Sequence, residues 1–177
     1  MTPSPTPATP DLSGPPSPPF PPESPESPEL PDAELLRLDH QVCFSLHAAS
    51  RAFGGVYREA LRDLGLTYPQ YLAMLVLWEH GPQQVKSIGE RLHLDSGTLS
   101  PLLKRLESAG LVTRGRSPED ERSVTVALTE AGAVLRERAL PVPRGILDAT
   151  GLSVREILAL QEVLGRLTSA LDGTRRS

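Results

Sequence analysis

Cys43 is the only cysteine in the 177-residue chain. A lone thiol cannot form an internal disulfide, so its sulfur either packs as a small apolar group or reacts. The reaction open to it is attack on a peroxide: a thiolate cleaves the O–O bond and becomes a sulfenic acid. An ordinary cysteine thiol titrates near about 8.5, so such a sensor needs hydrogen-bond donors that favour its ionised form. Phe44, Leu46, Phe53 and Trp78 are apolar residues available to surround it. A single cysteine on an apolar helix is also the common pattern of a plain buried residue, and the spacing alone leaves both readings open.

A second constellation is basic and small-polar. Ser96, Gly97, Thr98 and Ser100 open one helical segment, where small polar side chains let a helix end approach bases and phosphates closely. Lys104 and Arg105 farther along suit phosphate contact. Arg114, Arg116 and Arg122 load the segment after it, and an Arg at a hairpin tip can enter a narrow minor groove. The bland alternative is a solvated hairpin on a winged helix that binds protein. His40, His47, His80 and His93 lack convincing ligand spacing, so neither a metal nor any other cofactor is expected.

Helices must position both constellations. Leu35, Leu38, Val42, Leu46, Ala49, Phe53, Val56, Ala60 and Leu64 recur every three or four residues, which predicts one long helix over 34–64. Gly54-Gly55 in its middle suggests a kink or close packing. A second, nearly all-apolar helix follows Thr67 as N-cap. Val85–Leu92 and about 98–109 read as two short helices around the turn Asp95-Ser96-Gly97, a helix-turn-helix over about 85–109. Two β-branched runs around a charged tip predict a hairpin, the wing, over about 111–128. Thr129 opens another helix, interrupted at Pro141 and Pro143, and Ser153 with Glu156 forms a capping box for the last. The expected fold is mainly α with a small β-wing: a winged helix-turn-helix. The terminal helices, about 34–64 and 130–172, carry more apolar surface than so small a core can use, and so predict a homodimer.

Residues 1–33 read as a disordered Pro-rich tail ahead of a single domain over 34–177. Thirteen of the 19 prolines lie between Met1 and Pro31, and such a stretch buries too little apolar surface to offset its ordering entropy. A polyproline II docking site is the alternative. The tail also skews the charge. The whole chain carries −4, but six acids and no bases precede Arg37, leaving 18 basic against 16 acidic residues, or +2, over 37–177. A mildly basic domain is compatible with nucleic acid. No signal peptide and no membrane span are expected, and the unpaired cysteine fits a cytoplasmic protein.

The run from Asp120-Glu121-Arg122-Ser123 to Gly132 resembles the wing motif of the MarR family of homodimeric winged-helix regulators. Leu38-Asp39-His40-Gln41-Val42-Cys43-Phe44, Leu66-Thr67-Tyr68-Pro69-Gln70-Tyr71 and Leu94 to Arg105 are similar to its organic-hydroperoxide-sensing (OhrR) branch, one-cysteine type, across roughly 35–170. The resemblance implies that the hydroxyls of Tyr57 and Tyr68 point at Cys43, one of them across the dimer interface. It implies that Asp95 pairs with Arg122 to brace wing against recognition helix, and that Arg51 supports the fold. Asp95 also reads as a simple N-cap, and both tyrosines as core edges. His47 departs from the pattern, since many members carry tyrosine there.

Together these features describe a repressor, not an enzyme. The resemblance implies that the reduced dimer binds double-stranded DNA at an inverted repeat, and that DNA is released when organic hydroperoxide oxidises Cys43. With no second cysteine, the sulfenic acid meets a small external thiol, cyclises to a sulfenamide, or over-oxidises. The rivals are a repressor released by a small phenolic ligand with Cys43 inert, a thiol peroxidase, and a helical interaction module without DNA affinity.

Overall fold

The computed structural model describes residues 31–116 and 123–174. Residues 1–30 of the expected tail, and Arg122 of the wing, lie outside them. Residues 33–152 form one compact unit, and the last helix falls in another.

The single long helix expected over 34–64 is instead a series. A short α1 (Asp32–Leu35) and a 3-10 turn at Leu38–His40 precede α2 (Val42–Ala60), and a further 3-10 turn follows at Arg62–Leu64. The break lies at Gln41, whose backbone is extended (φ −84°, ψ 107°). The apolar period runs straight through it, so periodicity could not reveal it. Helix α2 continues through Gly54 and Gly55, and a Cβ added at either would meet nothing within 4 Å; neither glycine serves packing inside this chain. Gly65 ends the series in the left-handed region (φ 67°), where glycine carries no steric penalty.

Thr67 caps α3 (Tyr68–His80), its backbone N–H donating to Gln70 Oε1 at 2.9 Å. Helix α3 is the centre of the core, burying Tyr71, Ala73, Met74, Val76 and Leu77. Helices α4 (Val85–Leu92) and α5 (Ser96–Ser108) pack on it. Ile88, Leu99, Leu103 and Leu106 are fully buried there, each worth roughly 1.5–3 kcal/mol by removal from water. Between α4 and α5, Gly89 lies against the Leu94 carbonyl, which an added Cβ would approach to 2.8 Å.

The hairpin forms from β2 (Val112–Arg116) and β3 (Val124–Leu128), antiparallel, with Val112 opposite Leu128 and Arg116 opposite Val124. The structure adds a strand that the sequence did not suggest. Gln83–Gln84, β1, pairs with β3 to give the order β1-β3-β2; two glutamines have no alternation to signal it. After the sheet come α6 (Glu130–Ala139), capped by Thr129, and α7 (Pro141–Thr150). Leu140 joins them in right-handed helical geometry, so the prolines divide the hydrogen bonding more than the direction of the backbone. Last is α8 (Val154–Thr174), whose N-terminus is boxed by Ser153 and Glu156.

Candidate nucleic-acid interface and cysteine site

Asp95 sets the start of α5. Its Oδ1 accepts the Thr98 backbone N–H at 2.9 Å and its Oδ2 accepts the Thr98 hydroxyl at 3.0 Å. The bond from the Thr98 N–H, then that from its hydroxyl, hold the carboxyl below the usual aspartate range. Gly97 leaves room for this cap, since an added Cβ would come within 3.0 Å of Oδ1. Opposite the buried leucines of α5, the side chains of Ser96, Thr98, Ser100, Lys104 and Arg105 are exposed beside Gly97. They make one small-polar and basic face running down the helix, the geometry needed to enter a major groove and reach flanking phosphates.

The wing arginines do not share one fate. Arg116 is exposed at the end of β2. Arg114 turns back onto α5, where its Nε donates to Glu107 Oε2 at 2.9 Å and its backbone N–H donates to Glu107 Oε1 at 3.2 Å. With Arg122 outside the described residues, so is its pairing with Asp95. Behind the hairpin, Trp78 Nε1 donates to the Gly132 carbonyl at 2.9 Å. A Cβ on Gly132 would stand only 2.0 Å from the Leu111 carbonyl oxygen, so α6 lies directly against the base of β2.

Cys43 is exposed in the first turn of α2, its thiol 3.9 Å from Gln41 Oε1. His47 stands one turn on, and Arg51 is exposed farther along the helix; no side chain among the described residues pairs with Arg51. Tyr57 and Tyr68 do come together, ring centroids 4.3 Å apart. They do so far from Cys43. Tyr57 and Cys43 share α2 at a separation of fourteen residues, roughly 21 Å at the 1.5 Å helical rise. No tyrosine side chain spans that distance, so within one chain neither hydroxyl of the pair meets the thiol. Burial, then the neighbouring Tyr68, raises the Tyr57 pKa, so its hydroxyl keeps its proton and remains a donor. Two further rings extend the pair: Tyr71 lies 6.1 Å from Tyr57 and Trp78 lies 6.2 Å from Tyr71. The sequence reading missed Tyr71, Gly132 and Glu107 as site residues. The Tyr-Pro-Gln-Tyr run was a signal for the first and the end of the wing-motif run for Gly132; nothing local marks Glu107.

A helix-turn-helix backed by a two-stranded wing, with a basic reading face, defines a winged-helix DNA-binding protein. Residues 66–124 match the MarR family. The chain is 49% identical over 136 residues to the organic hydroperoxide resistance transcriptional regulator of Bacillus subtilis, covering 77% of this chain and 92% of that one. It is 37% identical over 139 residues to the regulator MgrA of Staphylococcus aureus, 78% and 95% of the respective lengths. Among solved structures it resembles reduced AbfR bound to DNA, with a TM-score of 0.67 at 39% identity over 79% of this chain and 97% of that one. A structure of AbfR from Staphylococcus epidermidis is also similar, with a TM-score of 0.66 at 36% identity, covering 80% and 98%. The chain belongs to the MarR family and is a transcriptional regulator, not an enzyme.

Proposed function

We propose that this regulator is a redox-responsive repressor whose reduced homodimer binds an inverted-repeat operator and is released when an organic hydroperoxide oxidises Cys43. The observation that carries the reading is the separation of Cys43 from the Tyr57–Tyr68 pair along an exposed apolar helix. Val42, Leu46, Phe53 and Val56 share one face of α2 and are exposed in the single chain. An antiparallel second copy would cover that face and bring its tyrosine end to the first copy's cysteine. Both hydroxyls then come from the partner, rather than one from each chain. The Bacillus subtilis relative's name, and AbfR structures of the reduced form on DNA and of a disulfide form, support the same reading, while the overoxidised AbfR is itself bound to DNA.

In the reduced dimer the tyrosine hydroxyls donate to the Cys43 thiolate. Sulfur attacks one peroxide oxygen, the S–O bond forms and the O–O bond breaks, and the leaving alkoxide takes a proton to become the alcohol. Sulfur is oxidised by two electrons and the peroxide is reduced by two. The sulfenic acid then goes to a mixed disulfide with a small thiol, to a sulfenamide or to over-oxidation. The tyrosines lose an anionic acceptor, and the change passes along Tyr57, Tyr71 and Trp78 to Gly132 and the wing base. Ser96, Gly97, Thr98, Ser100, Lys104, Arg105, Arg116 and Arg122 make the DNA contacts, with Asp95 bracing the helix start.

Trapping of sulfenic acid by dimedone after one equivalent of cumene hydroperoxide tests the chemistry. Wild type labels at Cys43, and Tyr57→Phe or Tyr68→Phe slows labelling by about tenfold, as expected for a lost bond to a charged acceptor. Equal rates in all three proteins contradict the site.

A second reading, release by a small phenolic ligand with Cys43 inert, draws on one feature. An open groove of about 350 Å³ runs between α3 and the α6–α7 pair, lined by Tyr71, Leu75, Trp78, Leu140 and Pro143 among others. The chain is 25% identical to BpsR of Bordetella bronchiseptica, which 6-hydroxynicotinic acid regulates. Under that reading Cys43→Ser responds like wild type.

A further inference from the structure

We propose that Glu107 is a positioning residue for DNA binding: it grips Arg114 at two points and so fixes the angle of the wing to the recognition helix. Arg114 is then a wing anchor and not a phosphate contact. Glu107 stands in the last turn of α5, and Arg114 in the middle of β2 opposite the fully buried Val126. In the order β1-β3-β2, strand β2 is an edge, and alternate N–H groups of an edge strand point away from the sheet. The Arg114 N–H is one of these, and Glu107 Oε1 accepts it at 3.2 Å while Oε2 accepts Nε at 2.9 Å.

One carboxylate therefore holds both the backbone and the side chain of one wing residue. Only 37% of the Glu107 side chain and 29% of the Arg114 side chain are exposed, so water and salt compete less than at an open surface pair. The link between α5 and β2 is short, with Gly110 in the left-handed region (φ 71°) and the Leu111 N–H donating to the Leu106 carbonyl. Those bonds fix where β2 begins. The Glu107 grip, farther out, fixes the direction in which β2 leaves α5, and with it where Arg116 arrives on DNA. The ionic reach of the wing then depends on a residue that never meets the nucleic acid.

The test is a double-mutant cycle on the full chain, binding a duplex of its own upstream DNA across a salt series. Wild type, Glu107→Ala, Arg114→Ala and the double variant are compared, with hydroxyl-radical footprints of each. Each single variant is expected to bind about tenfold more weakly. The double variant should be no weaker than either single one, and the slope of log K against log salt should fall by the same amount in all three variants, as Arg116 leaves its contact. Wing-side protections should fade while those of the recognition helix persist, a pattern that general loss of stability does not produce. Glu107→Gln, which keeps an acceptor for the backbone N–H, should recover part of the loss. The proposal is overturned if Arg114→Ala lowers the salt slope by about one phosphate contact while Glu107→Ala binds normally or more tightly. Additive losses or uniform fading of the footprint overturn it equally.

Discussion

Cys43 and Tyr57 sit towards opposite ends of α2, with Tyr68 of α3 beside Tyr57, and that separation makes a prediction at the scale of single residues. Cys43→Ser chains mixed with Tyr57→Phe chains give dimers with one intact cross-subunit site and one site lacking both groups. The mixed dimer should show a fast sulfenic-acid phase of about half the wild-type amplitude, measured by dimedone trapping. A slow phase only would mean that cysteine and tyrosine must belong to the same chain. Much at this scale was legible. The small-polar start of α5, Lys104 and Arg105 could be read because helical spacing alone separates them from Leu99, Leu102, Leu103 and Leu106. Arg114 could not, because its orientation depends on Glu107 across a turn, and a charged residue looks the same in sequence whether it faces DNA or a carboxylate.

Among the elements, α6 and the hairpin meet where a side chain has no room. Gly132→Ala places a methyl against the Leu111 carbonyl and should cost about 1–3 kcal/mol or more, as overpacking against backbone does. Denaturant unfolding measures it. Trp78→Phe removes the bond to the Gly132 carbonyl and should cost about 1 kcal/mol. Asp95 governs the other side of the reading head. Its folded pKa lies below the unfolded value of about 3.9, so its contribution is present above that value and is lost as pH falls through the folded one. Asp95→Ala should therefore melt earlier than wild type at neutral pH, and the gap should close below about pH 4; a gap that persists in acid would contradict the cap. Caps and the hairpin followed from residue type, whereas α2 runs on through Gly54-Gly55, where a kink or close packing was expected. The division at Gln41 and strand β1 did not follow from residue type, because the apolar period runs unbroken through Gln41 and β1 exists only by pairing with β3.

For the molecule as a whole, the exposed apolar residues decide the assembly. Phe53 and Val56 on α2, and Leu158 and Leu171 on α8, are 37–60% exposed in one chain. Among the described residues no helix is long and apolar enough to cross a membrane; under the proposed function a second copy covers the α2 residues and completes the cysteine site. Phe53→Asp should shift sedimentation towards monomer and abolish operator binding, since two reading heads one DNA turn apart require the dimer. The most direct measurement of the central claim is binding to the chain's own upstream DNA, with and without one equivalent of cumene hydroperoxide, for wild type and Cys43→Ser. The account predicts that both bind when reduced and that peroxide releases wild type alone. Release of both, or of neither, would contradict Cys43 as the switch.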